Sequence, residues 1–75
     1  MTIPEHRRAF GGRLRELRHE GGWASQEEFA HHVELDRTYI SGLERGVRNP
    51  TLDVIVKLAR GLDVAPAELL STVEN

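Results

Sequence analysis

With 75 residues, 10 lysines and arginines against 12 aspartates and glutamates, and a formal charge of −2, the chain is sized for one domain and not for two. A domain this small buries only about 60 to 65% of the surface its unfolded chain exposes, which argues against a deep catalytic pocket and requires compact helix packing or a partner. The absence of cysteine removes disulfides, zinc-thiolate sites and thiol nucleophiles together, and the acidic balance argues against a simple polycation coating nucleic acid.

No apolar run approaches the ~20 residues needed to span a bilayer, and Met1-Thr2-Ile3-Pro4-Glu5-His6 lacks the apolar stretch of a secretory signal. A soluble, cytoplasmic protein with no membrane partner is the expectation. The first helix is expected over 6–20, with Phe10, Leu14 and Leu17 as its apolar stripe. Arg7, Arg8, Arg13, Arg15 and Arg18 surround that stripe, most of them as a solvated face with one or two available to phosphate. Gly11-Gly12 either weakens this helix or marks a close packing contact. Gly21-Gly22 ends it, and Trp23 is expected to lie over the core as a lid.

Ser25-Gln26-Glu27-Glu28 has the capping-box pattern, Ser25 capping and Glu28 reaching back, before a second helix over 26–33. Only Glu34-Leu35-Asp36 separates it from a third helix over 37–45. Two short amphipathic helices so closely joined are the geometry of a helix-turn-helix. In the third helix, at about 100° per residue, Arg37, Thr38, Ser41 and Arg45 share one face, while Tyr39, Ile40 and Leu43 share the other. Asp36 is placed to cap it, Leu35 and Ile40 to staple its entry, and Gly46 to end it. A two- to three-turn helix aiming Arg, Thr and Ser outward has the size and chemistry to enter a DNA major groove.

Val47 to Thr51 carries turn residues around Pro50, and Thr51 can cap a fourth helix over 52–62. Leu52, Ile55, Leu58, Ala59 and Leu62 are its expected buried stripe. Asp63 or a neighbour then turns the chain, and Pro66 starts a fifth helix over 66–73. Its Leu69, Leu70 and Val73 offer more apolar surface than so small a core requires, and they are the expected dimer surface. Charge is polarised along the chain. Arg37, Arg45 and Arg48 outnumber Glu44 around the third helix, whereas Asp53, Asp63, Glu68 and Glu74 outnumber Lys57 and Arg60 beyond it.

Ser25-Gln26-Glu27-Glu28-Phe29-Ala30, Tyr39-Ile40-Ser41-Gly42-Leu43-Glu44-Arg45-Gly46 and Asn49-Pro50-Thr51-Leu52 together resemble the lambda-repressor-like, or Cro/CI, helix-turn-helix family over almost the whole chain. Within it, Asp36-Arg37-Thr38-Tyr39-Ile40-Ser41 and the short chain look like the controller proteins of restriction-modification systems. The resemblance implies an all-α, five-helix DNA-binding domain with the helix-turn-helix at the second and third helices. It implies a transcriptional regulator, a repressor, an activator or both, that binds a palindromic operator in double-stranded DNA as a homodimer, with half-sites about 34 Å apart.

Carried over position by position, the resemblance makes Arg37, Thr38 and Ser41 the base-reading residues. Gln26, Tyr39, Arg45, Arg48 and Asn49 become DNA-backbone contacts, and Arg18 with Glu44 a structural ion pair. Gly42 stands where several relatives carry a reading side chain, which shortens the expected reading surface. The outer side of the second helix in relatives can touch RNA polymerase, a role open here to Glu27 and Glu34.

An enzyme, a metal site and a cofactor are not expected. His31 and His32 point about 100° apart, His6 and His19 have no partner at a ligand spacing, and the glycine pairs lack the strand and lysine of a phosphate-binding loop. The rival is an antitoxin-type or other protein-interaction module on the same fold. Only Ser71 to Asn75 follows the fifth helix, which leaves little for a dedicated toxin-binding tail.

Overall fold

In the computed structural model, which describes residues 2–74, helices and turns account for all of the regular structure. Five helices follow in order among the described residues: α1 (Glu5–Glu20), α2 (Gln26–Val33), α3 (Arg37–Arg45), α4 (Leu52–Leu62) and α5 (Pro66–Leu69). None is long and apolar enough to cross a membrane. α1 lies against α3 and α5, α2 against α3 and α4, and α4 against α5. Phe29, Leu14, Ile40, Leu43, Leu58 and Leu69 are completely enclosed where these helices meet. Each such side chain stabilises the fold by about 1.5 to 3 kcal/mol relative to leaving it in water.

Local chemistry sets most helix ends. Ser25 accepts from the Glu28 amide, Asp36 from the Thr38 amide and Thr51 from the Val54 amide, so three N-termini are capped by side chains. Gly46 at φ 82° and Asp63 at φ 58° take the left-handed conformation that ends α3 and α4. Glu34 does the same for α2 at φ 58°, an unusual residue for that conformation and one that costs roughly 1 kcal/mol relative to glycine. Trp23 is half-buried, packs against the core and stacks on the His32 ring at 4.4 Å.

Several expectations need correction. Only the Ser25 half of the capping box forms; Glu28 is exposed and makes no return hydrogen bond. α5 ends at Leu69 instead of Val73, because Leu70 adopts φ −100°, ψ 1° and the following residues turn. Leu52 is 72% exposed and does not belong to the buried stripe of α4, since no neighbouring helix covers its first turn; Leu58, Ala59 and Leu62 are the buried positions there. Leu69 is 0% exposed, so it fills the core of one chain and is removed from the dimer surface, leaving Leu70 and Val73. The glycine pair in α1 divides in function. A Cβ on Gly11 would collide with the backbone carbonyls of Leu43 and Glu44, so this glycine lets α1 seat on the end of α3, while a Cβ on Gly12 would meet nothing within 4 Å.

Candidate nucleic-acid interface

α3 is held at both ends and along one side, so its other side is presented rigidly. At its start the Asp36 carboxylate accepts from the Thr38 amide at 2.8 Å and from the Thr38 hydroxyl. Those two bonds hold the Asp36 carboxyl below the usual carboxylate range, and they fix the Thr38 side chain with its methyl and oxygen still accessible. Ile40 and Leu43 are fully enclosed on the inner side. Arg37, Thr38 and Arg45 are exposed and Ser41 is half-buried beside them, with Arg45 Nε donating to Ser41 Oγ at 3.4 Å. Arg37, Thr38 and Ser41 therefore stand on one outward strip.

The border between the two sides of α3 is a buried polar knot. Arg18 Nε donates to Glu44 Oε2 at 2.7 Å and Nη2 donates to Oε1 at 3.2 Å, with both side chains only 4% exposed. Arg18 Nη1 also donates to the carbonyls of Trp23 and Ala24, at 2.6 and 2.8 Å. The guanidinium thus ties the end of α1, the loop after it and the end of α3 into one unit. Gln26, the first residue of α2, donates from Nε2 to Glu44 Oε1 at 2.9 Å. Its amide is committed to the knot, and its carbonyl oxygen is what remains for another partner. Among the described residues no buried side-chain polar atom lacks a hydrogen-bond partner.

Outside the knot lies an open cleft of about 380 Å³ that brings Gln26, Ser41 and Arg45 together with Arg15 and His19 of α1. Arg15 and His19 were read only as part of a solvated face, yet they are four residues apart, the spacing that puts two side chains on one helix face. Arg13, by contrast, is taken up by Glu16 and Glu68, at 3.2 and 2.9 Å. Arg37, Arg45 and Arg48 have no carboxylate partner among the described residues, which leaves three cations available along α3 and the turn after it.

Two of the expected backbone contacts sit differently from the rest. Tyr39 is half-buried and packs against the core, with the Arg48 guanidinium carbon 5.7 Å from its ring centroid. Asn49 is exposed and borders a small apolar cleft lined with Pro50, Phe10, Ile55, Leu70 and Val73. Gly42 is a further correction. It is buried, and a side chain there would run into Arg48 at 2.6 Å and Val47 at 3.5 Å, so the position is no vacant reader. The gap expected at Gly42 is filled by the stem of Arg48.

Residues 9–71 match the family model described as a helix-turn-helix domain. The control protein C.MunI from Mycoplasma is 45% identical over 66 residues, covering 88% of this chain and 89% of that one. The crystal structure of the restriction-modification controller protein C.AhdI from Aeromonas hydrophila superposes with a TM-score of 0.80 at 52% identity, over 84% of this chain and 94% of that one. The C.Esp1396I controller protein, solved as a tetramer in complex with its natural 35 base-pair operator, superposes with a TM-score of 0.80 at 31% identity, over 93% of this chain and 91% of that one. With two capped helices joined by a three-residue turn and relatives alike over nearly their whole length, the chain belongs to the helix-turn-helix domain family, alongside these restriction-modification control proteins.

Proposed function

We propose that the chain is a sequence-specific DNA-binding transcriptional regulator that acts as a homodimer on a palindromic operator and serves as the control protein of a restriction-modification system. The observation that carries this reading is the outward strip of α3. Arg37, Thr38 and Ser41 are held by a capped, core-anchored helix and left without charged partners among the described residues. α3 enters the major groove, where Arg37 has the geometry to bond guanine O6 and N7, worth about 1 to 3 kcal/mol of discrimination, and Thr38 can meet a thymine methyl group.

Around it Gln26, Tyr39, Arg45, Arg48 and Asn49 hold the DNA backbone. Arg15 and His19 join this set because they share the cleft of Gln26, Ser41 and Arg45. The operator complex of the C.Esp1396I relative supports a multimer on DNA as the working form. The reading requires one as well, because a single short helix contacts too few base pairs to find one site in a genome. The dimer surface is assigned to Leu70, Val73 and the 72% exposed Leu52, which surround the apolar cleft and have no cover within one chain. Neither catalysis nor a cofactor enters this reading, and the place of action is the cytoplasm.

A contact to RNA polymerase is a second element. Glu27, Glu28 and Glu34 are all exposed on or beside α2, and the missing return bond of Glu28 adds that carboxylate to the candidates. Replacing Glu27 and Glu34 by alanine is expected to leave operator affinity unchanged and to lower activated transcription; unaltered activation removes this element. The main reading is tested by selecting bound duplexes from a random pool and sedimenting the protein with and without the winner. A palindrome bound by two copies or more is the expected result. Asymmetric sites bound by a single copy, or no enrichment, would reject it.

A further inference from the structure

We infer that Gly42 is a positioning residue for DNA binding: it seats Arg48 along α3 so that the guanidinium is already aimed when a phosphate arrives. This rests on the reading of Arg48 as a backbone-holding residue. The Gly42 carbonyl accepts from the amides of Val47 and Arg48, at 2.9 and 3.3 Å, which fixes where the Arg48 backbone leaves the helix. A Cβ on Gly42 would stand 2.6 Å from Arg48 Cγ and 3.6 Å from Cδ, so the arginine stem lies where a side chain would otherwise be. Tyr39 is three residues earlier, one turn away on the same side of α3. Its ring centroid is 5.7 Å from the Arg48 guanidinium carbon, within the range in which a cation is attracted to an aromatic face. Stem on Gly42 and head at Tyr39, the side chain runs back from the end of α3 toward its first turns, where the reading residues are.

Arg48 is nevertheless exposed and has no carboxylate partner among the described residues. An arginine free in water gives up rotamer freedom when it meets a phosphate; one already laid along a helix gives up less. The contrast with Gly11 separates this role from ordinary close packing. At Gly11 the obstacle to a side chain is backbone, whereas at Gly42 the atoms in the way belong to two side chains, and Arg48 can swing aside. Alanine is also the better helix former. Gly42→Ala is therefore expected to keep or raise the melting temperature while weakening DNA binding, two effects of opposite sign that a merely structural glycine would not give.

The test uses the whole chain carrying Gly42→Ala, Arg48→Ala, both together, or Gly12→Ala as the control whose added methyl meets nothing within 4 Å. Each is titrated by fluorescence anisotropy, across a range of salt, on a random-sequence duplex and on the duplex recovered by selection. Arg48→Ala is expected to weaken both DNAs and to flatten the log-log salt slope by about 0.9. Gly42→Ala is expected to weaken both roughly threefold to tenfold, the cost of ordering one freed side chain. The double variant should bind no worse than Arg48→Ala, and Gly12→Ala should bind as wild type. Unchanged binding by Gly42→Ala, a loss that multiplies with that of Arg48→Ala, or a lowered melting temperature each overturns the inference while leaving the role of Arg48 standing. If Arg48→Ala binds normally, the backbone-holding role of Arg48 fails and the inference falls with it.

Discussion

The two flanks of α3 carry the same kinds of charged group and put them to opposite use. On the inner edge Glu44 meets Arg18 and Gln26 with both ions almost completely out of water. On the outer strip Arg37 and Arg45 are exposed, without carboxylates beside them among the described residues. A paired, buried ion is spent on joining helices and has nothing left for a ligand. An unpaired, exposed one adds almost nothing to the fold and keeps its full attraction for phosphate or a base edge. A net charge of −2 is compatible with DNA binding for this reason: the sign that matters is the one presented on a single strip.

Breaking the inner flank should have the largest effect. Glu44→Ala leaves the Arg18 guanidinium buried with two carbonyls and no counter-charge, and unfolding in urea is expected to show a loss of about 3 to 5 kcal/mol. A loss below that of an ordinary surface substitution would mean the pair is not structural. Next is the end of the chain, where neighbours one residue apart do different work. Leu69→Ala removes a fully enclosed side chain and should cost about 2 to 5 kcal/mol. Leu70→Ser, at a 41% exposed position, should stay within about 0.5 kcal/mol in a monomer and instead weaken self-association in sedimentation. Equal destabilisation by the two, or undisturbed association of Leu70→Ser, would remove Leu70 from the dimer surface.

A smaller effect is expected at the start of α3. The folded Asp36 carboxyl ionises at lower pH than in the unfolded chain because Thr38 hydrogen-bonds its charged form. Its contribution is thus fully present above the ordinary aspartate range and is lost as pH falls below about 4 through the lower folded value. Asp36→Asn keeps an oxygen for the cap and removes the titration. Acid unfolding of wild type should contain a component below that pH that the Asn variant lacks; superimposable acid profiles would show that this bond does not matter to stability.

How much of this was legible from residues alone depended on how local the cause was. Asp36, Thr51 and Gly46 act on amides or dihedrals within a turn of themselves, so the bounds of α3 and the start of α4 could be read off. Arg18 and Glu44 are 26 residues apart, and no spacing joins them; only the resemblance to a known family did. Leu69 and Leu70 look alike in sequence, and which of them is inside depends on where α1 and α4 pass a four-residue helix. Leu52 carried the right periodicity, yet periodicity cannot say whether a neighbour covers the first turn. Gly42 is the sharpest case. An absent side chain on the helix face suggested an empty reader, and only the path of the chain after Gly46 shows that Arg48 occupies the space. Arg15 and His19 had a visible four-residue spacing, but the cleft that gives it meaning is made by α2 and α3.

The separation of the two flanks is tested most directly by Arg37→Ala, measured at once for stability and for affinity to the selected operator and to operators changed one base pair at a time. The expected result is unfolding within about 0.5 kcal/mol of wild type, together with the loss of about 1 to 3 kcal/mol of discrimination at one position in each half-site. Wild-type discrimination at every position, or a fall in stability like that of Glu44→Ala, would contradict it.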